Sequence, residues 1–363
     1  MSVKPRTGVE NIKGFIPGKS KAALEKEQGE GAIIRLGTNE NRLGPSPKVL
    51  EALNGKDVDY AQYQDTNNPF LRDAISKYHN IPEDQILFGN GLFEVTLLIA
   101  QAYLDAGDKV IIPNLTFGWY ARAVSHTRAE VVGTPVKDDL NVDTDAILHA
   151  VDEKTKAIFL CNPNNPTGKA IPKDELINFI EKVPSHVLLV IDEAYVDYAV
   201  DYNVDLVPLI AKHDNLVILR TFSKLYGLAS FRVGYALGSR EVIETIGKVK
   251  PPLNLGTPAE LAALAAIQDG AHRDAVRRIN RSELENFYRT FEDWGYETVR
   301  SEGNFFLVKL GDQSKEAVEL LEKRRILIRD GERFGLKGYV RITVGTPEDN
   351  RALIDALKEI LNK

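Results

Sequence analysis

Between about residues 70 and 240 the chain repeats one pattern: a short, unbroken apolar run, then a stretch of helical periodicity. The runs are Ile86-Leu87-Phe88, Val110-Ile111-Ile112, Ala157-Ile158-Phe159-Leu160, Val187-Leu188-Leu189-Val190-Ile191 and Leu216-Val217-Ile218-Leu219. A strand with one wet face alternates apolar and polar residues. These runs do not alternate, so both faces must be covered, and the intervening helices supply the cover. The pattern predicts an α/β fold with a mostly parallel sheet flanked by helices. At 363 residues the chain exceeds one small core and suits a large domain with a smaller companion.

The texture changes after about residue 280. A long charged helix (Asp274 to Phe291) leads to Asn304-Phe305-Phe306-Leu307-Val308, a further helix, Ile326-Leu327-Ile328, Tyr339-Val340-Arg341-Ile342-Thr343-Val344 and a last helix from Asn350 to Leu361. The order β, α, β, β, α predicts a small α+β domain. Residues 1–35 read as an irregular arm with a short helix from Lys19 to Gln28. The division expected is an arm over 1–44, a large domain over 45–270 and a small C-terminal domain over 271–363. No repeat or low-complexity linker separates the two domains, so firm contact between them is expected.

Charge and composition narrow the function. A net charge of −6 disfavours a general nucleic-acid or anionic-membrane binder. No run approaches the roughly eighteen apolar residues of a membrane span, and the first residues lack a signal peptide's apolar core. A cytoplasmic protein is expected. The single cysteine, Cys161, excludes a disulfide within the chain, and the six histidines are scattered without ligand spacing, which disfavours a metal site.

In open α/β sheets ligands sit beyond the carboxyl ends of the strands. After Leu160 come Cys161-Asn162-Pro163-Asn164-Asn165-Pro166-Thr167-Gly168; after Ile191, Asp192-Glu193-Ala194-Tyr195; after Leu219, Arg220-Thr221-Phe222-Ser223-Lys224. Three strands thus aim an amide, a carboxylate and an amine at one place. A lysine in a Ser/Gly-rich turn, with Arg232 eight positions on, suits a Schiff-base amine beside a phosphate site. Pyridoxal phosphate needs such a lysine, an acid that keeps its ring nitrogen protonated, donors for its phenolic oxygen and a phosphate cup. Asp192 suits the ring nitrogen, and Asn165 and Tyr195 suit the phenolic oxygen.

Each residue alone has a plainer reading. Asp192 could cap a helix, and Asn165 could serve a turn before proline. Gly89-Asn90-Gly91-Leu92-Phe93-Glu94 opens the helical run Val95 to Ala100, and glycines there let backbone N–H groups face an anion, yet the same residues make an ordinary strand-to-helix turn. Ser223 and Arg232 strengthen the phosphate reading. Phe117 could stack on a ring or belong to the core. The convergence carries more weight than any one position.

With these residues in view, the chain resembles the fold type I pyridoxal-phosphate aminotransferases, and among them it is most similar to the histidinol-phosphate aminotransferases. The resemblance runs nearly end to end, through Pro17-Gly18-Lys19, Asn39-Glu40-Asn41, Gly89-Asn90-Gly91, Cys161 to Gly168, Asp192 to Tyr195, the Lys224 segment, Asn304-Phe305 and Arg341 to Thr346. It implies that Lys224, Asp192 and Tyr195 are catalytic. It implies that Gly91, Leu92, Phe93, Phe117, Asn165, Ser223 and Arg232 help hold the cofactor, with Tyr63 reaching the phosphate of the neighbouring subunit in a homodimer. The arm would pack on the small domain and the dimer partner. Arg341, Asn41 and Arg329 would face substrate, Arg341 on its carboxylate, although Arg329 and Arg333 also read as loop arginines in water.

The implied reaction moves an amino group between histidinol phosphate and 2-oxoglutarate. An aromatic amino acid aminotransferase is the alternative, and a lyase or decarboxylase a more distant one. The chain departs from the family's pattern at Leu92-Phe93, Arg42, Phe15-Ile16 and Leu253. Three of these four lie where the substrate side chain is expected, so they bear on the substrate rather than the cofactor.

Overall fold

The computed structural model describes residues 3, 4, 12, 21–54, 58, 61–200, 202 and 204–363. Phe15-Ile16 and Pro17-Gly18-Lys19 lie outside them. A first short strand, β1 (Ile34–Arg35), precedes the strands of a seven-stranded sheet: β2 (Ile86–Asn90), β3 (Lys109–Pro113), β4 (Glu130–Thr134), β5 (Thr155–Cys161), β6 (Leu188–Asp192), β7 (Leu216–Thr221) and β8 (Val233–Gly238). Their order is β2-β8-β7-β6-β5-β3-β4, and every pairing is parallel except the two made by β8. Side chains alternate across the pleat. Ile158 and Leu160 of β5 enter one apolar layer with Leu176 and Phe179, while Ala157 and Phe159 enter the opposite layer with Val95, Ile99 and Tyr120.

Two strands of this sheet do not stand out as apolar runs. β8 is interrupted by Gly234 and Gly238, and β4 lies at the sheet edge, where Val131 is exposed. Gly234 has a structural reason: a side chain there would press on the backbone of Leu92 and Gly91, with Leu92 N only 2.8 Å from the added carbon.

The remaining strands are β9 (Glu297–Val299), β10 (Phe305–Lys309), β11 (Ile326–Leu327), β12 (Arg329–Asp330) and β13 (Tyr339–Thr343). A four-stranded antiparallel sheet has the order β12-β13-β10-β9, while β1 pairs in parallel with β11. The run Ile326 to Ile328 is thus divided: its first two residues pair with β1, and Arg329 begins a strand beside Arg341. Arg329 therefore stands in a sheet, not a solvated loop. The segment Ile34 to Leu36, expected to lie at the end of an irregular arm, belongs to the small sheet's neighbourhood; Leu36 is fully buried among Phe287, Phe291, Phe306, Ile342 and Leu353. The long helix spans Gly270–Asp293, and the last spans Pro347–Ile360, started by a capping box between Thr346 and Asp349.

Direct bonds hold the two sheets together. Glu302 N–H donates to Gly168 O at 2.8 Å, and Arg277 Nε donates to Asp197 O at 2.6 Å. Between them, the carboxyl ends of β5, β6 and β7 face the segment Gly37 to Asn41 and one face of β13. No helix among the described residues is long and apolar enough to cross a membrane, and no cluster of metal-ligating side chains occurs among them.

Candidate active site

Parallel pairing sets the ends of β5, β6 and β7 side by side: Cys161 is opposite Asp192, and Asp192 opposite Leu219. The polar residues that follow therefore emerge together. Asp192 is buried, its Oδ2 accepting from Tyr120 OH at 2.7 Å and its Oδ1 from Ala194 N–H at 2.9 Å. Burial pushes its carboxyl up to about 6, a rise that the Tyr120 and Ala194 bonds and the Lys224 charge oppose. A cation brought against this carboxylate would find it ready to ionise.

Asn165 and Tyr195 come from different loops and meet, Asn165 Nδ2 donating to Tyr195 OH at 3.2 Å. The neighbouring amides do structural work instead. Asn164 bonds Leu115 O, Thr116 and Thr167, and Asn162 binds Ile171 N–H and Tyr202 OH. Glu193 turns the other way and pairs with Arg220 at 2.7 Å, behind the site.

Lys224 extends from the turn after β7, and its Nζ donates to Asn39 O at 3.1 Å, 5.4 Å from the Tyr195 ring centre. Burial lowers the amine to about 8, helped by the charge of Arg341 and opposed by Glu40 and Asp192. A large share is thus neutral near pH 8, as a nucleophile or base requires.

Beside β2 a cradle forms. Gly91 stands at the start of the helix Leu92–Tyr103 with φ +77 and ψ 165, a conformation open in practice only to glycine. A side-chain carbon at Gly91 would lie 2.1 Å from Arg232 Nη2, so the guanidinium rests directly against the turn. Arg232 itself adopts φ +57, and its Nη1 donates to Ala229 O. First-turn N–H groups of a helix have no acceptor within it, and with an arginine alongside they suit a phosphate. Ser223 is buried at the neighbouring turn after β7. Leu92 and Phe93 offer only backbone here; the Phe93 ring packs edge-on to Trp119, 4.6 Å between centres. Phe117 packs edge-on to Tyr120 at 5.5 Å.

Opposite, β13 presents Arg341, which is buried yet charged. Its Nη2 donates to Gly37 O at 2.9 Å and its Nη1 to Asn165 Oδ1, while Nε has no partner among the described residues. Arg329, paired to it across β12 and β13, donates to Gly37 O at 3.2 Å. Asn41 is otherwise engaged: its amide donates to Leu225 O and accepts from Leu43 N–H, closing a turn. Tyr63 is 87% exposed in the single chain. Of the departures from the family's pattern, Arg42 is held by Asp349 at 2.9 Å, and Leu253 adopts φ +58 while its carbonyl accepts from Gln64.

Two residues join the site that sequence reasoning gave no role. Tyr120 is a buried aromatic of the helix Trp119–Ser125, and its contact with Asp192 brings it into the site. Asn39 stood out in Asn39-Glu40-Asn41 without an assigned partner; its Nδ2 donates to Tyr195 OH at 3.0 Å.

Comparison with known proteins agrees with this geometry. Residues 32–357 match the family "Aminotransferase class I and II". "Histidinol-phosphate aminotransferase 1" of Bacillus thuringiensis subsp. konkukian is 40% identical over 354 residues, covering 97% of this chain and 95% of its own. "Histidinol-phosphate aminotransferase" of a Geobacillus strain is 40% identical over 362 residues, covering 99% and 98%. Among solved structures, histidinol-phosphate aminotransferase from Sinorhizobium meliloti in complex with pyridoxal-5'-phosphate superposes with a TM-score of 0.90 at 26% identity, covering 100% of this chain and 98% of that one. A family match spanning almost the whole fold, on a chain whose strand ends converge on Lys224, places the chain among the class I and II aminotransferases.

Proposed function

We propose that the protein is a pyridoxal-phosphate aminotransferase acting by ping-pong transfer between histidinol phosphate and 2-oxoglutarate. The observation that carries this is the meeting, in one crevice, of Lys224, Asp192, the Asn165–Tyr195 pair, the Gly91–Arg232 cradle and Arg341. The substrate pair rests on the curated relatives at 40% identity.

The residues present fit the cofactor. The glycine turn lets the Arg232 guanidinium sit against the first turn of a helix, Asp192 is a buried carboxylate suited to a ring nitrogen, and Lys224 is an amine poised to lose its proton. Pyridoxal phosphate, when bound, supplies an aldehyde for amino groups and a ring that accepts the electrons left at the substrate's Cα. The chain supplies the rest. Arg232, Ser223 and the N–H groups of Leu92 and Phe93 would hold the phosphate. Phe117 would pack on the ring, and Asp192, steadied by Tyr120, would keep the ring nitrogen protonated. Lys224 Nζ takes the proton from the amino donor's Cα and later delivers it. Arg341, with Arg329 beside it, binds the α-carboxylate of glutamate and the phosphate of histidinol phosphate; Asn41 shapes the turn next to them rather than touching substrate.

The same proposal includes a cytoplasmic homodimer in which Tyr63 reaches the partner's cofactor phosphate, supported by the exposure of Tyr63 and Phe70 in the single chain. It also includes the division into an arm (1–44), a large domain (45–270) and a small domain (271–363), supported by the separate apolar clusters of the two sheets.

Glutamate alone should convert the visible band of the lysine-bound cofactor to the near-ultraviolet band of its amine form. No such half-reaction would favour a lyase or decarboxylase. In a donor panel, histidinol phosphate should exceed phenylalanine and tyrosine in kcat/KM; the reverse order would replace the substrate assignment with an aromatic one.

Gly91→Ala should weaken cofactor binding about ten- to a hundredfold, because the added carbon displaces Arg232 and one or two charge-assisted bonds to the phosphate go with it. Titration of the cofactor into the cofactor-free variant checks this. An unchanged affinity would remove Gly91 and Arg232 from the phosphate site.

A further inference from the structure

Tyr195 hydroxyl has two amide donors: Asn165 Nδ2 at 3.2 Å and Asn39 Nδ2 at 3.0 Å. The second has a fixed origin. Asn39 N–H donates to Thr343 Oγ1 at 3.0 Å, so the Thr343 hydroxyl hydrogen is directed to Asn39 Oδ1, also at 3.0 Å. With Oδ1 so engaged, the amide can only present its NH₂ to Tyr195. Asn39 is itself held tightly, with 1% of its surface exposed and φ +55. Its carbonyl meanwhile accepts from Lys224 Nζ.

A phenolic oxygen that accepts from two amides has its acceptor positions filled. Its own hydrogen must then point away from both amides, and each bond it accepts makes that hydrogen a better donor. We propose that Asn39, oriented by Thr343, is a positioning residue that presets the Tyr195 hydroxyl as a donor into the active site. Thr343 lies two residues beyond Arg341 on the same face of β13, so the strand that carries the substrate-binding arginine also holds the chain of bonds ending at the phenol.

This inference rests on the reading of Tyr195 as donor to the cofactor's phenolic oxygen. The charged and titratable groups facing Tyr195 are Lys224, Arg341, Asp192, Cys161 and Tyr198, and none is altered in the variants below.

The readout is the pH midpoint of the visible band of the lysine-bound cofactor, measured without substrate. A donor to the cofactor's phenolic oxygen favours its ionised state, so weakening Tyr195 as a donor raises the midpoint. Asn39→Leu should raise it by about half a unit to one unit, a three- to tenfold change in proton affinity. Thr343→Val should raise it in the same direction, Thr343→Ser should restore the parent value, and the double variant Asn39→Leu/Thr343→Val should match Asn39→Leu alone, because Thr343 acts through Asn39. Tyr195→Phe serves as the reference shift. A midpoint that moves in Tyr195→Phe but in neither Asn39→Leu nor Thr343→Val would overturn the proposal, as would shifts that add in the double variant. Absence of a pH-dependent band in the parent protein would instead overturn the cofactor reading. Thr343→Val is nearly isosteric and keeps the experiment open if Asn39→Leu does not fold.

Discussion

Lys224→Ala should abolish the visible absorbance of the lysine-bound cofactor and lower turnover by at least about 10⁴, the upper range for loss of a general acid–base group. Two properties of the amine support so large an effect. It is the amine delivered by the carboxyl end of β7 into the crevice, and its donations to Thr38 O and Asn39 O hold it against the segment Gly37 to Asn41. Its depressed proton affinity, about 8, makes it reactive where an ordinary lysine would be fully charged. Below pH 8 the free amine is mostly protonated and cannot attack the cofactor's aldehyde, so the rate at which added cofactor restores the visible band to the cofactor-free protein should rise with pH through that region. Lys224→Arg should share the loss, since a guanidinium stays protonated. Turnover within tenfold of the parent in Lys224→Ala would refute the assignment, and thermal melting of the variant distinguishes lost chemistry from lost fold.

The sequence made the central sheet legible because burial on both faces leaves no polar positions in its strands. For the same reason the candidate site was legible at Asp192, Asn165 and Lys224: the polar segments that follow the apolar runs leave the sheet together. Where that rule has no purchase, reading stopped. β8 runs against its neighbours and is broken by glycines, of which Gly234 is needed for its approach to Leu92. β1 and β11 are two residues each, and they pair across nearly the whole chain, from Ile34 to Ile326, so no local pattern marks them. Arg329 looked like a loop residue because β12 is equally short. Tyr120 and Asn39 act through single hydroxyl or amide contacts made by distant segments, and a side chain's hydrogen-bond partner is not written in its neighbours. Asn41, two residues from Asn39, shows the limit well. The same residue type, nearly adjacent, spends both ends of its amide on backbone.

Arg341→Ala tests whether the small sheet supplies the substrate's anchor. The guanidinium is 5% exposed, with its charge centre 4.8 Å from the Phe334 ring centre and 5.3 Å from that of Phe305, and burial pulls its proton affinity down to about 10. At neutral pH it remains a cation. Its planar fork is held by Gly37 O and Asn165 Oδ1, leaving Nε without a protein acceptor among the described residues. A buried cation with an unused donor is costly unless an anion completes it. Removing it should weaken binding of glutamate by about 2–5 kcal/mol, roughly thirty- to several-thousandfold, the range for losing one side of a buried charge pair. Cofactor affinity should change little, because the phosphate cradle lies at Gly91 and Arg232. Arg341→Lys should recover only part of the loss, a point charge being unable to reproduce two parallel bonds to a carboxylate. Equal losses of glutamate and cofactor affinity would mean that Arg341 serves mainly to clamp Asn165 and Gly37. A loss confined to glutamate would instead identify β13 as the element that carries substrate recognition.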